Sequence, residues 1–284
     1  MKRLVLLLLV IICLSSCFFK KHVTAHSQKS KSFGRVFKNT DNEYRYKMAE
    51  QFYANQKYSY ALQLFEDLFP YIKGTDRYED MYFKVANCYY LLKDYLNAES
   101  LFKSFVETFP TSKKAEECDY LRAYCYYKQS PKVDLDQTPT TKAMALMQAF
   151  INTHPTSDRL KEANDILDAC RAKLELKEFK AAGLYYNLGN YKSAAISFAN
   201  VSENFPDSKF ADEYKYQTIK AFYKYAELSF EEKQEERYTK VLNECVEFAE
   251  RFSDSKHLEE VKNYKNLTNN FLKSIKNEQV KKTN

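Results

Sequence analysis

The side chains of this 284-residue chain that could do chemistry are few, and their spacing points away from catalysis. His22, His26, His154 and His257 are scattered, and His154 fills a slot held by Phe109, Phe205 and Phe252 elsewhere, so it reads as packing. Cys88, Cys118, Cys125, Cys170 and Cys245 form an odd, irregular set without a C-x-x-C pair. Such a set is neither a disulfide framework nor a zinc site, and free cysteine packs as a small apolar residue. No glycine-rich phosphate loop or nucleophile triad occurs, and the carboxylates are spread as on solvated helix faces. The expectation is a protein that is not an enzyme, with no catalytic, cofactor-binding or metal residues. Two features remain. One is Cys17, which follows the apolar run Leu4–Leu14 and two serines, with Lys2 and Arg3 ahead of the run. The other is aromatic: Tyr53, Tyr90, Tyr127, Tyr186 and Tyr225 recur at equivalent places. Seven residues before them, two helical turns along one face, stand Tyr46, Phe83, Tyr120 and Phe179, with Thr218 breaking the series. Tyrosine combines a large apolar area with one hydroxyl, which suits an extended peptide. The competing reading is that neighbouring helices pack on these rings and consume them.

Cys17 makes sense only with the segment ahead of it. The apolar run is shorter than the about 20 residues a spanning helix needs. A basic start, a short apolar core and small residues before a cut site are the parts of a secretory signal. An ordinary peptidase could use Val23-Thr24-Ala25, farther down the chain. Leu14-Ser15-Ser16-Cys17 instead resembles the lipobox of bacterial lipoproteins, in which the cysteine is acylated and becomes the new N-terminus. That resemblance implies a signal peptide over residues 1–16 and a membrane anchor through lipid on Cys17. Phe18, where aspartate would signal retention in enterobacteria, implies release from the inner membrane. Residues 17–41, rich in Lys, Ser, His and Asn, are expected to be a flexible tether of about 25–30 Å if random coil. The formal charge of +6 falls by two on loss of Lys2 and Arg3. With both signs interspersed, no nucleic-acid partner is expected.

The elements that place the tyrosines repeat along the chain. "AEQFYANQKYSYALQLF" (49–65), "ANCYYLLKDYLNAESLF" (86–102) and "AGLYYNLGNYKSAAISF" (182–198) align without a gap. "AYCYY" (123–127) and "AFYKY" (221–225) open two further copies, whose second halves arrive eight residues late. Apolar residues three, four and seven apart define one helix face. Ala61, Ala98, Ala143 and Ala194 are small enough for an antiparallel helix to approach closely. Pro110, Pro155 and Pro206 stop one helix, and Ser112, Ser157 and Ser208 are placed to N-cap the next.

This pattern resembles the tetratricopeptide repeat over residues 42–255. It departs in copy spacing (37 to 51 residues), and in Lys224 and Cys245 where aromatic residues are expected. The resemblance implies an all-α fold, a superhelical solenoid of about five helix pairs with a C-terminal capping helix. Repeats 1–3 are expected over 42–157, repeats 4–5 over 158–255, and the capping helix and basic tail over 256–284. The loop 130–141, "SPKVDLDQTPTT", gives the first block its own surface, and a long helix over 158–187 couples the two blocks. By tetratricopeptide geometry, the tyrosine series faces the concave surface.

Signal, lipobox, tether and five long repeats together resemble the BamD-type lipoproteins of the outer-membrane β-barrel assembly machinery. The most specific stretches are "SPKVDLDQTPTTKAMALMQAFINTHPTS" and "ANDILDACRAKLELKEFKAAGLYYNLGNYKSAA". The resemblance implies an adapter on the periplasmic face of the outer membrane. It would bind the periplasmic domains of the barrel insertase (BamA-like) through repeats from about Gly189 onward, and engage unfolded outer-membrane β-barrel precursors. The alternative is a glycan-binding or other cell-envelope tetratricopeptide lipoprotein, a class that carries larger insertions than the loop 130–141.

Overall fold

The computed structural model describes residues 33–283. Cys17, the signal segment 1–16 and the tether up to residue 32 lie outside the described residues. What is described is helical, with no strand. Helices come in antiparallel pairs: α1 (Asn42–Ala54) with α2 (Tyr58–Ile72), and α3 (Tyr78–Leu91) with α4 (Tyr95–Thr108). Next come α5 (Ala115–Gln129) and α6 (Thr138–Thr153), then α7 (Leu160–Asn187) and α8 (Tyr191–Asn204). The last are α9 (Ala211–Glu227), α10 (Glu231–Arg251) and the long α11 (Leu258–Thr283). The all-α class and the consecutive packed pairs are as the sequence led one to expect. Within the stretch read as tether, residues 33–37 are helical, and Phe33 stacks on Tyr60 at 4.5 Å.

The chain divides into two compact units. The first runs to residue 130 and resumes over 142–164; the second comprises 131–141 and everything from 165. Both α6 and α7 therefore contribute to both units. The loop expected to give the first block its own surface belongs with the second unit. The reason lies on α7: Lys173 Nζ donates to Pro131 O (3.2 Å), Lys177 Nζ to Leu135 O, and Lys180 pairs with Asp134 (3.0 Å). Three lysines about one turn apart hold the loop as a strap along one helix.

The packing follows from small residues at the helix crossings. Ala61, Ala98, Ala143 and Ala194 are completely buried, as expected for close approach. The first unit's core sets Leu64, Phe65 and Leu68 of α2 against Met81, Val85 and Cys88 of α3. In the second, Ala182 of α7 meets Ala194, Ala195 and Phe198 of α8, and Val241, Cys245 and Phe248 of α10 meet Val261 of α11. The five cysteines among the described residues, Cys88, Cys118, Cys125, Cys170 and Cys245, are free and buried.

Two local devices recur, and both come from the sequence. The first is the turn inside a pair. Gln56 (φ 58°), Lys93 (φ 66°) and Gly189 (φ 77°) adopt the left-handed conformation. In each turn the following N–H reaches back five residues: Lys57 to Phe52 O (2.8 Å), Asp94 to Tyr89 O (2.9 Å) and Asn190 to Tyr185 O (2.9 Å). This satisfies carbonyls that the helix end would orphan. The second device joins pairs. The serines expected to N-cap the following helices lie three residues ahead of them, and Ser112 Oγ accepts from Lys114 N–H (3.0 Å) in the approach turn. The same hydroxyl donates to Glu79 Oε1 of α3 (2.6 Å). Ser208 donates likewise to Glu175 of α7, and Ser255 to Asp212 of α9 (2.7 Å). Each serine thus staples a first helix to the first helix before it.

Candidate peptide-binding face

The turn residue before α3, α5 and α9 sets the register of the aromatic series on those helices. Counting from Thr75, Ser112 and Ser208, rings stand eight and fifteen residues on: Phe83 and Tyr90, Tyr120 and Tyr127, Tyr216 and Tyr223. Tyr46 and Tyr53 occupy these places on α1, and Phe179 and Tyr186 on α7. On α9, therefore, Tyr216 and Tyr223 hold the two positions that the sequence series gave to Thr218 and Tyr225. The small residue used to align that copy, Ala221, is two residues out of register, because Ile219 fills the equivalent buried site. Both are completely buried, as is Thr218. Counting from the serine rather than from the alanine finds the right pair.

Of the nine candidate residues, Tyr46, Tyr53, Phe83, Tyr90, Tyr127, Phe179, Tyr186 and Tyr225 are half-buried, and Tyr120 is buried at 2% exposure. Their inner edges pack against the second helix of the same pair. Tyr53 meets Tyr58 and Phe65 edge-on, Tyr90 meets Tyr95 and Phe102, and Tyr186 meets Tyr191. Phe179 packs on Phe198 and Tyr214. Neighbouring first helices claim part of what remains. Asn87 Nδ2 donates to Tyr53 Oη (2.6 Å), and Tyr90 lies 6.2 Å from the ring of Tyr124, which Tyr127 also touches. Burial pushes the Tyr46, Tyr53, Tyr90 and Tyr186 hydroxyls above the ordinary phenol range, so they are neutral donors.

The sequence reading missed the cations over these rings. Arg77 lies over Tyr46 (5.0 Å to the centroid), Lys114 over Phe83 (5.0 Å) and Arg159 over Tyr120 (4.4 Å). Each comes from the residue just ahead of the next first helix. Each also pairs with an acid three residues before the ring: Glu43 (2.8 Å), Asp80 (2.5 Å) and Glu117 (2.7 Å). One turn along, Lys84 lies over Tyr53 and bridges Glu50 (2.6 Å) and Asp80 (2.7 Å). Burial pushes the Asp80 carboxyl up, but its bonds from Lys114 and Lys84 prevail and hold it below the usual carboxylate value. The arrangement recurs on α9, where His257 stacks on Tyr216 at 4.3 Å and meets Glu213 at 2.8 Å. Lys220 covers Tyr186 (5.2 Å), and Arg237 covers Tyr225 (4.0 Å). The result in the first unit is a ladder of acid, ring and cation along the first helices; in the second unit Glu213, Tyr216 and the His257 ring form one such rung, and Tyr186 and Tyr225 each carry a cation. Flat apolar faces, hydroxyls and paired charges of this kind offer side-chain pockets and hydrogen bonds.

Among the described residues no cluster of three metal-ligating side chains occurs, and no helix is long and apolar enough to cross a membrane. The paired helices with their repeated turn and serine staple are those of a tetratricopeptide-like helical-repeat protein. Within that class the match is specific: the family model YfiO, outer membrane lipoprotein, covers residues 38–209, and the chain belongs to that family. It is also 30% identical over 214 residues to the putative outer membrane protein assembly factor BamD of Aquifex aeolicus (strain VF5). That alignment takes in 75% of this chain and 66% of the relative, just under two thirds of its length. Among solved structures, the TPR2AB-domain:pHSP90 complex of yeast Sti1 aligns over 80% of this chain and 98% of its own, at 12% identity and a TM-score of 0.38. A Podospora anserina putative kinesin light chain with tetratricopeptide-like repeats aligns over 72% and 93%, at 11% identity and a TM-score of 0.32.

Proposed function

We propose that this chain is a non-enzymatic scaffold of outer-membrane β-barrel assembly, held at the periplasmic face of the outer membrane by lipid on Cys17. The observation that carries the reading is the family match over residues 38–209 together with a relative named as an outer membrane protein assembly factor. Unfolded barrel precursors engage the half-buried aromatic ladder, and the periplasmic domains of the insertase dock on the second unit. The aromatic positions support this because their outer faces stay accessible while their inner edges fix the rings in place, which lowers the ordering cost of binding. Isolation of the tagged chain from membranes tests it. The expected companions are a barrel insertase and unfolded barrel precursors; recovery of a sugar transporter or division proteins in their place would overturn it.

A further inference from the structure

Tyr225 is the candidate ring that the corrected register leaves outside the ladder. It lies two residues beyond Tyr223, about 200° around α9, and lines a cavity of about 510 Å³ between three helices. The cavity is walled by Lys192 of α8, Phe222 and Tyr225 of α9, and Lys233, Arg237 and Lys240 of α10. Glu236 is the acid among its lining residues. Two of the cations already have partners: Lys240 meets Glu244 at 2.6 Å, and Lys233 meets Glu236 at 3.6 Å. Lys192 and Arg237 pair with no carboxylate among the described residues. Arg237 is nonetheless held in place. Its guanidinium lies 4.0 Å from the centroid of Tyr225, and its Nη1 donates to Ser229 Oγ, which in turn donates to Tyr225 O.

The first unit shows what completes such a pair. Arg77 over Tyr46 and Arg159 over Tyr120 each hold a carboxylate, Glu43 at 2.8 Å and Glu117 at 2.7 Å. At Tyr225 the ring and the arginine stand without the acid among the described residues. We infer that this cavity is a binding site for an acidic side chain of a partner polypeptide, whose carboxylate bonds Arg237 in the field of Lys192. A planar guanidinium takes a carboxylate through two parallel N–H bonds. One already fixed by a ring and a hydroxyl loses little freedom in doing so. The walls formed by Phe222 and Tyr225 suit the methylene stem of such a side chain. Glu236 repels a dianion more than a single carboxylate, which favours this ligand over a phosphate group. Such a site lies beyond the assembly reading and stands without it, because all its lining residues but Lys192 fall past residue 209, where the family match ends.

The test uses the full chain in detergent and two fluorescent peptides, acetylated and amidated at their ends, identical except that a central glutamate in one is glutamine in the other. Fluorescence anisotropy should show the glutamate peptide binding at least about fivefold more tightly. Arg237→Gln should remove that preference, and Arg237→Lys, which keeps the charge but loses the fork, should leave part of it. Lys192→Gln should at least about halve it. Lys192 is exposed and unpaired among the described residues, so this variant should melt within about 2 °C of the parent and decides the matter if Arg237→Gln unfolds early. Absence of binding, equal binding of the two peptides, or an undiminished preference in Lys192→Gln or Arg237→Gln overturns the inference. So does full binding of the glutamine peptide once its C-terminus is a free carboxylate, since the ligand would then be a chain end. Displacement of the glutamate peptide by less inorganic phosphate than acetylated, amidated glutamate also overturns it, since the site would then take a phosphate group.

Discussion

Tyr90→Ala and Tyr127→Ala separate the packing duty of the aromatic ladder from its binding duty. The Tyr90 ring meets Tyr95 at 6.0 Å, Phe102 at 6.4 Å and Tyr124 at 6.2 Å, whereas among the aromatic rings of the described residues Tyr127 meets only Tyr124, at 5.9 Å. Truncating a fully buried aromatic residue costs about 3–5 kcal/mol, and each aromatic pair contributes about 0.5–1.5 kcal/mol beyond its area. For a half-buried ring with three partners the loss is about 2–3 kcal/mol; with one partner it is about 1 kcal/mol. At about 2–4 °C per kcal/mol for a chain of this size, Tyr90→Ala should melt about 4–12 °C early and Tyr127→Ala about 2–4 °C early. Thermal unfolding followed by circular dichroism reads this directly, and Tyr90→Phe, which keeps the ring, should stay near the parent. Capture of a barrel-precursor peptide should weaken for Tyr127→Ala at a temperature where the variant remains folded. If Tyr127→Ala destabilises as much as Tyr90→Ala, the contact argument fails. If it binds precursor as the parent does, that ring is not part of the binding face.

Gln56→Gly and Lys93→Gly relieve left-handed backbone strain of about 1–2 kcal/mol at a smaller entropic cost, so each should raise the melting temperature by about 1–3 °C. Gly189→Ala, at φ 77° with open space around it, should lower the melting temperature. Burial pushes the Cys88, Cys118, Cys125 and Cys245 thiols up to about 12, so the folded protein should resist iodoacetamide at pH 8 and react fully in denaturant. Because the folded-state values are raised, the stabilisation from these neutral thiols is complete below about pH 9 and is lost as pH climbs toward 12. Early denaturant midpoints above pH 9 would show it, and a flat profile from pH 8 to 11 would count against it. Cys17→Ala should abolish labelling by a radioactive fatty acid and release the chain from membranes, since stable anchoring needs acyl chains; unchanged labelling would place the lipid elsewhere.

The amino-acid sequence by itself determined the helix pairs, the long helix near 158–187 and the buried alanines, because side-chain periodicity and small residues at fixed offsets are local signals. The left-handed turns at Gln56, Lys93 and Gly189 came only with the structure, where at Gln56 and Lys93 residues that tolerate αL poorly are held by hydrogen bonds from the flanking helices. Tertiary structure decided the rest. The register of the fifth aromatic pair depended on where Ser208 and Ser255 bond, and those partners are tens of residues away in sequence. Which unit owns the loop 131–141 turned on three lysines of α7 reaching its carbonyls and Asp134, a choice no spacing within the loop encodes. Whether a ring is core or surface likewise depended on its neighbours: Tyr120 and Tyr127 sit on the same helix face, yet Phe150 and Arg159 close over Tyr120 while Tyr127 stays half open. Periodicity names the face of a helix; only the packed neighbours settle how much of that face meets water.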